Sequence, residues 1–118
     1  MNHSAPSQPL RIAFVGLGRR GLANMRRHLV IEQATITVLC DSLAAALGNA
    51  EDAIPESYPS PLLYHSWQEM LADRPAIDLV YVSTDWASHA PIAIASMEAG
   101  YNVAVEVPAV IDAASGER

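Results

Sequence analysis

The sequence predicts an α/β fold in which a parallel β-sheet is covered by helices on its faces. Three observations support this prediction. Short apolar or β-branched runs alternate with helical segments along the chain, and such alternation is typical of a parallel sheet. A glycine-rich loop, GLGRRG, follows the first of these runs. With 118 residues, 51% of them hydrophobic, the chain is long enough for one domain with a substantial core.

The predicted strands are short apolar or β-branched runs, the first of which closes on the glycine loop. They span residues 11–15, 35–40, 62–64, 77–83 and 102–106. The predicted helices cover about residues 20–32, 42–53, 66–72 and 91–99. Apolar stripes mark the first two helices. They consist of Leu22, Met25, Leu29 and Val30, and of Leu43, Leu47 and Ala50.

Local signals set several boundaries of these elements. The prolines within residues 55–61 exclude a continuous helix before the third strand. Ser66 followed by Glu69 is a capping-box pattern for the third helix. Gly100 is suited to end the fourth helix.

The composition indicates in which cellular compartment the protein is expected. Residues 1–10 are polar and contain proline, so we predict a disordered tail ahead of a single domain over residues 11–118. This start lacks the basic and apolar regions of a signal peptide. No apolar run approaches the roughly 20 residues of a membrane span. Cys40 is the single cysteine, which excludes an internal disulfide and fits a small core residue. We therefore expect a cytoplasmic protein with no membrane partner.

The charged residues limit which partners the protein is expected to bind and which catalytic mechanisms it can use. The formal net charge of −6 disfavours a nucleic-acid surface. All seven basic residues are arginines, so a mechanism that needs a lysine is excluded within this chain. Arg26 and Arg27 are interpreted as part of a solvated helix face. The four histidines lack the spacing of metal ligands, so no metal is expected. A homo-oligomer is compatible with the sequence.

The glycine loop has the spacing G-x-G-x-x-G, with a predicted strand before it and a predicted helix after it. Gly16 permits a tight turn, and Gly18 lets the backbone approach a pyrophosphate at the positive end of the helix. Gly21 allows close packing of the helix on the strand. Arg19 and Arg20 can add positive charge beside that phosphate.

Asp41 stands at the end of the second predicted strand, where an acid accepts hydrogen bonds from the ribose hydroxyls of a dinucleotide. A carboxylate at this position repels a 2′-phosphate, which favours NAD over NADP. The alternative is a chance glycine turn with an Asp that caps the next helix. The combined pattern favours dinucleotide binding, and with it a Rossmann-type, doubly wound parallel sheet.

The segment STDWASH follows the fourth strand, at the edge where ligands of such sheets bind. Thr84, Trp86 and His89 are therefore candidate cofactor contacts. The alternative is that Thr84 caps a helix and Trp86 covers its first turn.

The motifs GLGRRG, CD and STDWASHAPIAIASMEAGYNVAVEVPA together resemble the amino-terminal domain of the Gfo/Idh/MocA oxidoreductase family. The resemblance covers nearly all of residues 11–109. The Trp at position 86 and the sequence EVPA at residues 106–109 are most similar to one branch, the NAD-dependent glycoside hydrolases of family 109. Asp85 departs from the proline that is usual in that branch, and Tyr101 from a common lysine.

The resemblance implies cofactor contacts beyond the glycine loop. They are Arg19, Arg20, Asp41, the segment 86–89, Glu106 and Val107. In the dehydrogenase branches a lysine at the position of Val107 helps proton transfer, so dehydrogenation in that manner is not expected here. In the hydrolase branch, NAD transiently oxidises a sugar hydroxyl, elimination and addition of water follow, and the hydride returns.

The family supplies its catalytic base and most substrate contacts from a carboxyl-terminal α/β domain, which we expect to be absent from these 118 residues. No catalytic residue is therefore assigned, and we expect the isolated chain to be inactive. The first hypothesis is the NAD-binding domain of an oxidoreductase or glycosidase acting on a sugar or polyol. The alternative is a stand-alone NAD-binding regulatory module.

Overall fold

The computed structural model describes residues 8–84 and 86–105. Within these residues the strands are β1 (Leu10–Val15), β2 (Ala34–Cys40), β3 (Leu62–Tyr64), β4 (Leu79–Val82) and β5 (Asn102–Val105). The helices are α1 (Arg19–His28), α2 (Ala44–Asp52), α3 (Trp67–Asp73) and α4 (Trp86–Glu98).

The five described strands form one sheet in the order β3-β2-β1-β4-β5, and every neighbouring pair is parallel. The chain winds from β1 toward β3 on one side and from β4 toward β5 on the other. The direction therefore reverses between β1 and β4, and ligands of open α/β sheets bind outside the carboxyl ends of the strands at such a reversal. The predicted doubly wound parallel sheet is confirmed.

Two apolar clusters cover the two faces of the sheet. Successive strand residues point to opposite faces, so Phe14 lies in one cluster and Val15 in the other. The Phe14 cluster packs against α1 and α2 through Met25 and Leu47. The Val15 cluster packs against α3 and α4, and both clusters are fully buried at their centres. The sheet is thus covered on both faces.

The pairing of β1 with β2 contains a bulge that the sequence did not indicate. Ile12 pairs with Ile36 and Ala13 pairs with Val38, which leaves Thr37 as an extra residue in β2. Because one extra residue reverses the side-chain alternation, Ile36 and Leu39 both join the Phe14 cluster. The backbone N–H of Ile36 donates a hydrogen bond of 2.8 Å to the Tyr58 hydroxyl.

The first helix is shorter than predicted and ends at His28. Leu29 contacts the core as expected, but Val30 is 83% exposed, so its place in the apolar stripe is wrong. The N–H groups of Leu29 and Ile31 bond to carbonyls three residues earlier, which tightens the chain for its return to β2. β-Branched Val30 and Ile31 also have low helix propensity.

The second helix begins at Ala44, and Leu43 precedes it in an extended conformation. Leu43 is 67% exposed, so its assignment to the stripe is wrong, whereas Leu47 and Ala50 are buried as predicted. The third helix is close to its prediction. The Ser66 hydroxyl accepts a hydrogen bond of 3.2 Å from the N–H of Glu69.

The fourth helix begins at Trp86, five residues before the predicted start at Pro91. Pro91 was expected at the first helical position but lies inside the helix. The helix extends ahead of Pro91 because one of its faces is buried. His89, Ile92, Ala93 and Ser96 have helical spacing and are all buried.

This helix ends at Glu98, one residue before the predicted end, and Gly100 terminates it as predicted. Gly100 has a φ of +97°. The N–H of Gly100 bonds to the carbonyl of Met97, and that of Tyr101 bonds to the carbonyl of Ser96. This pair of bonds is a Schellman motif, which favours glycine at the left-handed position.

Two strand boundaries also differ slightly. β1 begins at Leu10, inside the predicted tail, and its N–H donates to the carbonyl of Gln33. β4 is shorter than predicted, although Asp78 and Ser83 extend its hydrogen bonding to β1. Within the described part of the chain, no helix is long and apolar enough to cross a membrane.

Candidate dinucleotide-binding site

The carboxyl ends of β1, β2 and β4 lie side by side in the sheet and place three predicted site segments together. Gly16 follows β1 directly, Asp41 follows β2 directly, and Thr84 lies two residues beyond β4. All three line one cleft of about 240 Å³. The structure therefore brings together residues that are far apart in the sequence.

Two of the loop glycines are required by the packing of the protein itself. Gly16 has a φ of +97°, and a Cβ there would lie 2.6 Å from the carbonyl carbon of Ser83. A Cβ on Gly21 would lie 2.8 Å from the carbonyl carbon of Gly16 and would overlap its oxygen. These are the tight turn and the close helix packing that the sequence predicts for Gly16 and Gly21.

The middle glycine of the motif is different. Gly18 has φ −70° and ψ −163°, an extended conformation that any residue can adopt. A Cβ there would meet no atom of the other described residues within 4 Å, and Gly18 is exposed. The fold therefore does not require glycine at this position. The open space in front of Gly18 is where a ligand backbone or phosphate can approach closely.

Gly18 is also the N-cap of α1, and it provides no side-chain cap. The first turn contains no acidic residue. A helix N-terminus of this kind attracts anions through its N–H groups and its partial positive charge. Arg19 and Arg20 are exposed in the same turn, which adds positive charge where a pyrophosphate is expected.

Asp41 connects two parts of the site. Its Oδ2 accepts a hydrogen bond of 2.7 Å from the N–H of Leu17, inside the glycine loop. Its Oδ1 accepts one of 2.8 Å from the N–H of Leu43, just before α2. A carboxylate has about four lone-pair positions, so two remain for hydroxyl donors. The bond to Leu43 lies ahead of α2, which has no side-chain cap hydrogen bond, so Asp41 does not cap this helix, and its bond to Leu43 is compatible with ribose binding.

The cleft has a further wall that the sequence did not indicate. It is lined by His65, Ser66, Trp67 and Gln68. These residues follow β3, and they reach the cleft because β3 pairs with β2. The short strand and the capping pattern gave the position of α3, but no local signal identified the neighbouring strand. The described lining contains no arginine.

The other predicted contacts have mixed outcomes. His89 is buried in α4, and it does not line the described cleft. For Trp86 the structure gives only the helical backbone. Glu106 and Val107 lie outside the described residues. Asp85, directly before α4, is also outside them, so a capping role for Thr84 stays a prediction.

Cys40 lies beside Asp41 and is buried. Burial raises the pKa of its thiol to about 12, and the charge of Asp41 adds to this effect. The thiol therefore stays protonated at neutral pH, which agrees with a small core residue. Among the described side chains, no three His, Cys, Asp or Glu residues group together to hold a metal ion.

The strand order, the glycine loop before α1 and the acid after β2 define a dinucleotide-binding domain of the Rossmann type. Residues 10–118 match the model of the Gfo/Idh/MocA oxidoreductase family, described as an NAD-binding Rossmann fold. The chain belongs to this family, and its cofactor is NAD. The family predicted from the sequence is confirmed.

Curated relatives support the predicted branch. An α-N-acetylgalactosaminidase of Bacteroides fragilis is 42% identical over 110 residues, which cover 90% of this chain and 26% of the relative. A glycosyl hydrolase family 109 protein of Phocaeicola vulgatus is 38% identical over 87% of this chain and 20% of its own length. The chain thus spans about a quarter or less of these two relatives.

Solved structures share the fold. The WlbA dehydrogenase of Bordetella pertussis, in complex with NADH and UDP-GlcNAcA, matches with a TM-score of 0.75 and 25% identity, over 89% of this chain and 31% of that one. The myo-inositol dehydrogenase of Lactobacillus casei, in complex with NAD(H) and myo-inositol, matches with a TM-score of 0.76 and 19% identity, over 86% and 29%. At this identity the second likeness concerns the fold alone.

Proposed function

We propose that this domain binds NAD in preference to NADP, with the glycine loop at the pyrophosphate and Asp41 at the adenosine ribose. The main support is the position of Asp41, whose carboxylate lines the cleft beside Gly16. After its hydrogen bonds to Leu17 and Leu43, two of its lone-pair positions are left to accept further hydrogen bonds. Two ribose hydroxyls can donate to these positions. A 2′-phosphate would remove one donor and place like charges together. The described lining offers no arginine to offset that repulsion.

Isothermal titration with NADH and NADPH tests this proposal. We expect wild-type affinity for NADH to exceed that for NADPH about tenfold or more, because two like charges about 4 Å apart near a protein surface repel by about 1–4 kcal/mol, and about 1.4 kcal/mol corresponds to a factor of ten in affinity. Asp41→Asn should lower the ratio of NADH affinity to NADPH affinity, because it removes the charge that repels the 2′-phosphate. Asp52→Asn is the matched control, since Asp52 is exposed at the end of α2 and does not line the cleft. Equal wild-type affinity for both cofactors would refute the assignment.

We further propose that the whole protein acts on a sugar or polyol, as an oxidoreductase or an NAD-dependent glycosidase. The 42% identity to an α-N-acetylgalactosaminidase supports the glycosidase. Val107 in place of a lysine is consistent with it. NAD supplies a hydride acceptor when it is bound. The residues of this chain bind and orient it. A cytoplasmic location is also proposed, in keeping with the single buried thiol of Cys40.

The remaining predicted contacts form part of the same proposal. Thr84 lines the cleft beside Gly16 and can contact the cofactor near the reversal point of the sheet. Trp86, His89, Glu106 and Val107 are proposed contacts on the strength of the family resemblance. NADH titration of Thr84→Val, which removes the hydroxyl at similar volume, tests the first of these. Unchanged affinity would exclude a hydrogen bond from Thr84.

A further inference from the structure

We propose that Asp41 is also a positioning residue for the glycine loop, holding it in the shape that receives the pyrophosphate before any cofactor binds. This inference rests on the proposed NAD site, and it assigns a second role to one of its residues. Asp41 would then act on the phosphate half of the cofactor through Leu17, in addition to contacting the ribose.

The loop is attached at several points, and Asp41 supplies one of them. The N–H of Gly16 donates a hydrogen bond of 2.9 Å to the carbonyl of Cys40, and Gly16 packs on the backbone of Ser83. One residue later, the N–H of Leu17 donates to Asp41 at 2.7 Å. The next residue is Gly18, the N-cap of α1. The carboxylate therefore holds the peptide unit directly before the expected phosphate position.

Leu17 makes this hydrogen bond costly to lose. The residue as a whole is 2% exposed, and its side chain belongs to the Phe14 cluster. A buried backbone N–H that loses its acceptor keeps the full cost of leaving water. Without the carboxylate, the loop must either accept that cost or turn the Leu17 peptide toward solvent. The second response would change the direction in which the backbone at Gly18 faces.

The carboxylate itself is fixed in orientation. Its other oxygen accepts the N–H of Leu43, from the segment that leads into α2. Asp41 thus bridges two segments that follow different strands of the sheet. A bridge held at both ends is pre-organised, and pre-organisation lowers the entropy lost on binding. The ribose hydroxyls and the phosphate loop then share one anchoring group.

Two measurements separate this role from ribose binding. The first is amide hydrogen exchange at Leu17 in the cofactor-free chain, followed by NMR. The second is the affinity for inorganic pyrophosphate, which has no ribose. Asparagine has one acceptor oxygen in its amide, so Asp41→Asn cannot accept both the Leu17 and the Leu43 N–H as the carboxylate does. Asp41→Ala is the second variant, and Asp52→Asn removes the same charge elsewhere.

We expect Leu17 exchange to be at least about tenfold faster in Asp41→Ala, because this variant has no side-chain acceptor and hydrogen bonds to charged groups are strong. Asp41→Asn keeps one acceptor oxygen and should fall between the wild type and Asp41→Ala. We expect pyrophosphate to bind more weakly to both Asp41 variants, although removal of a negative charge favours anion binding on electrostatic grounds alone. Asp52→Asn should leave Leu17 exchange unchanged. In Asp41→Ala the faster exchange should be confined to the glycine loop, and the core amides of β1 should stay as protected as in the wild type.

Unchanged Leu17 exchange in Asp41→Ala, which has no side-chain acceptor, would overturn the inference, whatever the affinity for NAD. Faster exchange combined with equal or tighter pyrophosphate binding would also overturn it, because the loop would then be held without consequence for the anion. If the wild type bound neither NADH nor pyrophosphate, the proposed function and the positioning of an anion site would both be refuted. Leu17 exchange would still show whether the Asp41 contact holds the loop.

Discussion

Substitution of Gly18 tests whether this glycine is required for folding or for binding of the cofactor. Gly18→Ala and Gly18→Val each place a Cβ where, among the described residues beyond its chain neighbours, no atom lies within 4 Å. The backbone, at φ −70° and ψ −163°, accepts either side chain, including a β-branched one. We therefore expect both variants to fold and to lose binding of NADH.

The expected changes in stability and in NADH affinity can be estimated from the place of Gly18 at the N-cap of α1 and beside the expected pyrophosphate. Replacing glycine at an N-cap by alanine costs up to about 1 kcal/mol, and the reduced entropy of the unfolded chain returns about 0.4–1 kcal/mol. The net change in the free energy of unfolding should stay within about 1 kcal/mol. Loss of one hydrogen bond to the charged pyrophosphate costs about 1.5–3 kcal/mol. That loss corresponds to an affinity about 10- to 150-fold lower.

The assay combines urea unfolding, followed by circular dichroism, with titration of NADH fluorescence. Gly48→Ala in α2 is the matched control, because a Cβ on Gly48 also meets nothing within 4 Å. This variant should bind NADH as the wild type does. A folded Gly18→Val protein with wild-type affinity for NADH would show that the loop is not the phosphate site.

Three further predictions follow. Gly21→Ala should lower the free energy of unfolding by about 1–3 kcal/mol, since its Cβ overlaps the Gly16 carbonyl; a urea midpoint equal to that of Gly18→Ala would contradict this. Asp78 accepts two side-chain hydrogen bonds and one backbone hydrogen bond from Arg11, which lower its pKa from 3.8 to about 2. Its stabilising effect is present above pH 3.8 and is lost as the pH falls toward 2. Between pH 5 and 2, the free energy of unfolding measured with urea should therefore fall less in Asp78→Asn than in the wild type. An equal fall in both proteins would argue against a stabilising Arg11–Asp78 pair. The 118-residue chain has no lysine and should neither reduce NAD with sugars or polyols nor release nitrophenol from aryl N-acetylgalactosaminides; turnover in either assay would require a complete active site.

Features encoded within a few neighbouring residues could be predicted from the sequence. The glycine loop lies between a strand and a helix as expected, and Asp41 stands at the end of β2. The left-handed turn at Gly100 and the cap at Ser66 were also predictable. Each depends on backbone geometry and hydrogen bonds over three to five positions, so the local residue types are sufficient.

Features that depend on distant residues were decided by the tertiary structure. The start of α4 ahead of Pro91 follows from burial of His89 and Ile92 against the sheet. The bulge at Thr37 arises where β2 must match β1. In both cases long-range packing outweighs the local signal, because burial of an apolar side chain stabilises the fold more than propensity differences do.

The candidate site shows the same division. Its glycines and Asp41 are recognisable as a pattern, whereas the wall formed by residues 65–68 depends on the pairing of β3 with β2. The hydrogen bond from Leu17 to Asp41 joins residues 24 positions apart. The sequence by itself determined which groups can meet a dinucleotide. Only the tertiary structure decided which of them touch one another, because that depends on strand order and register.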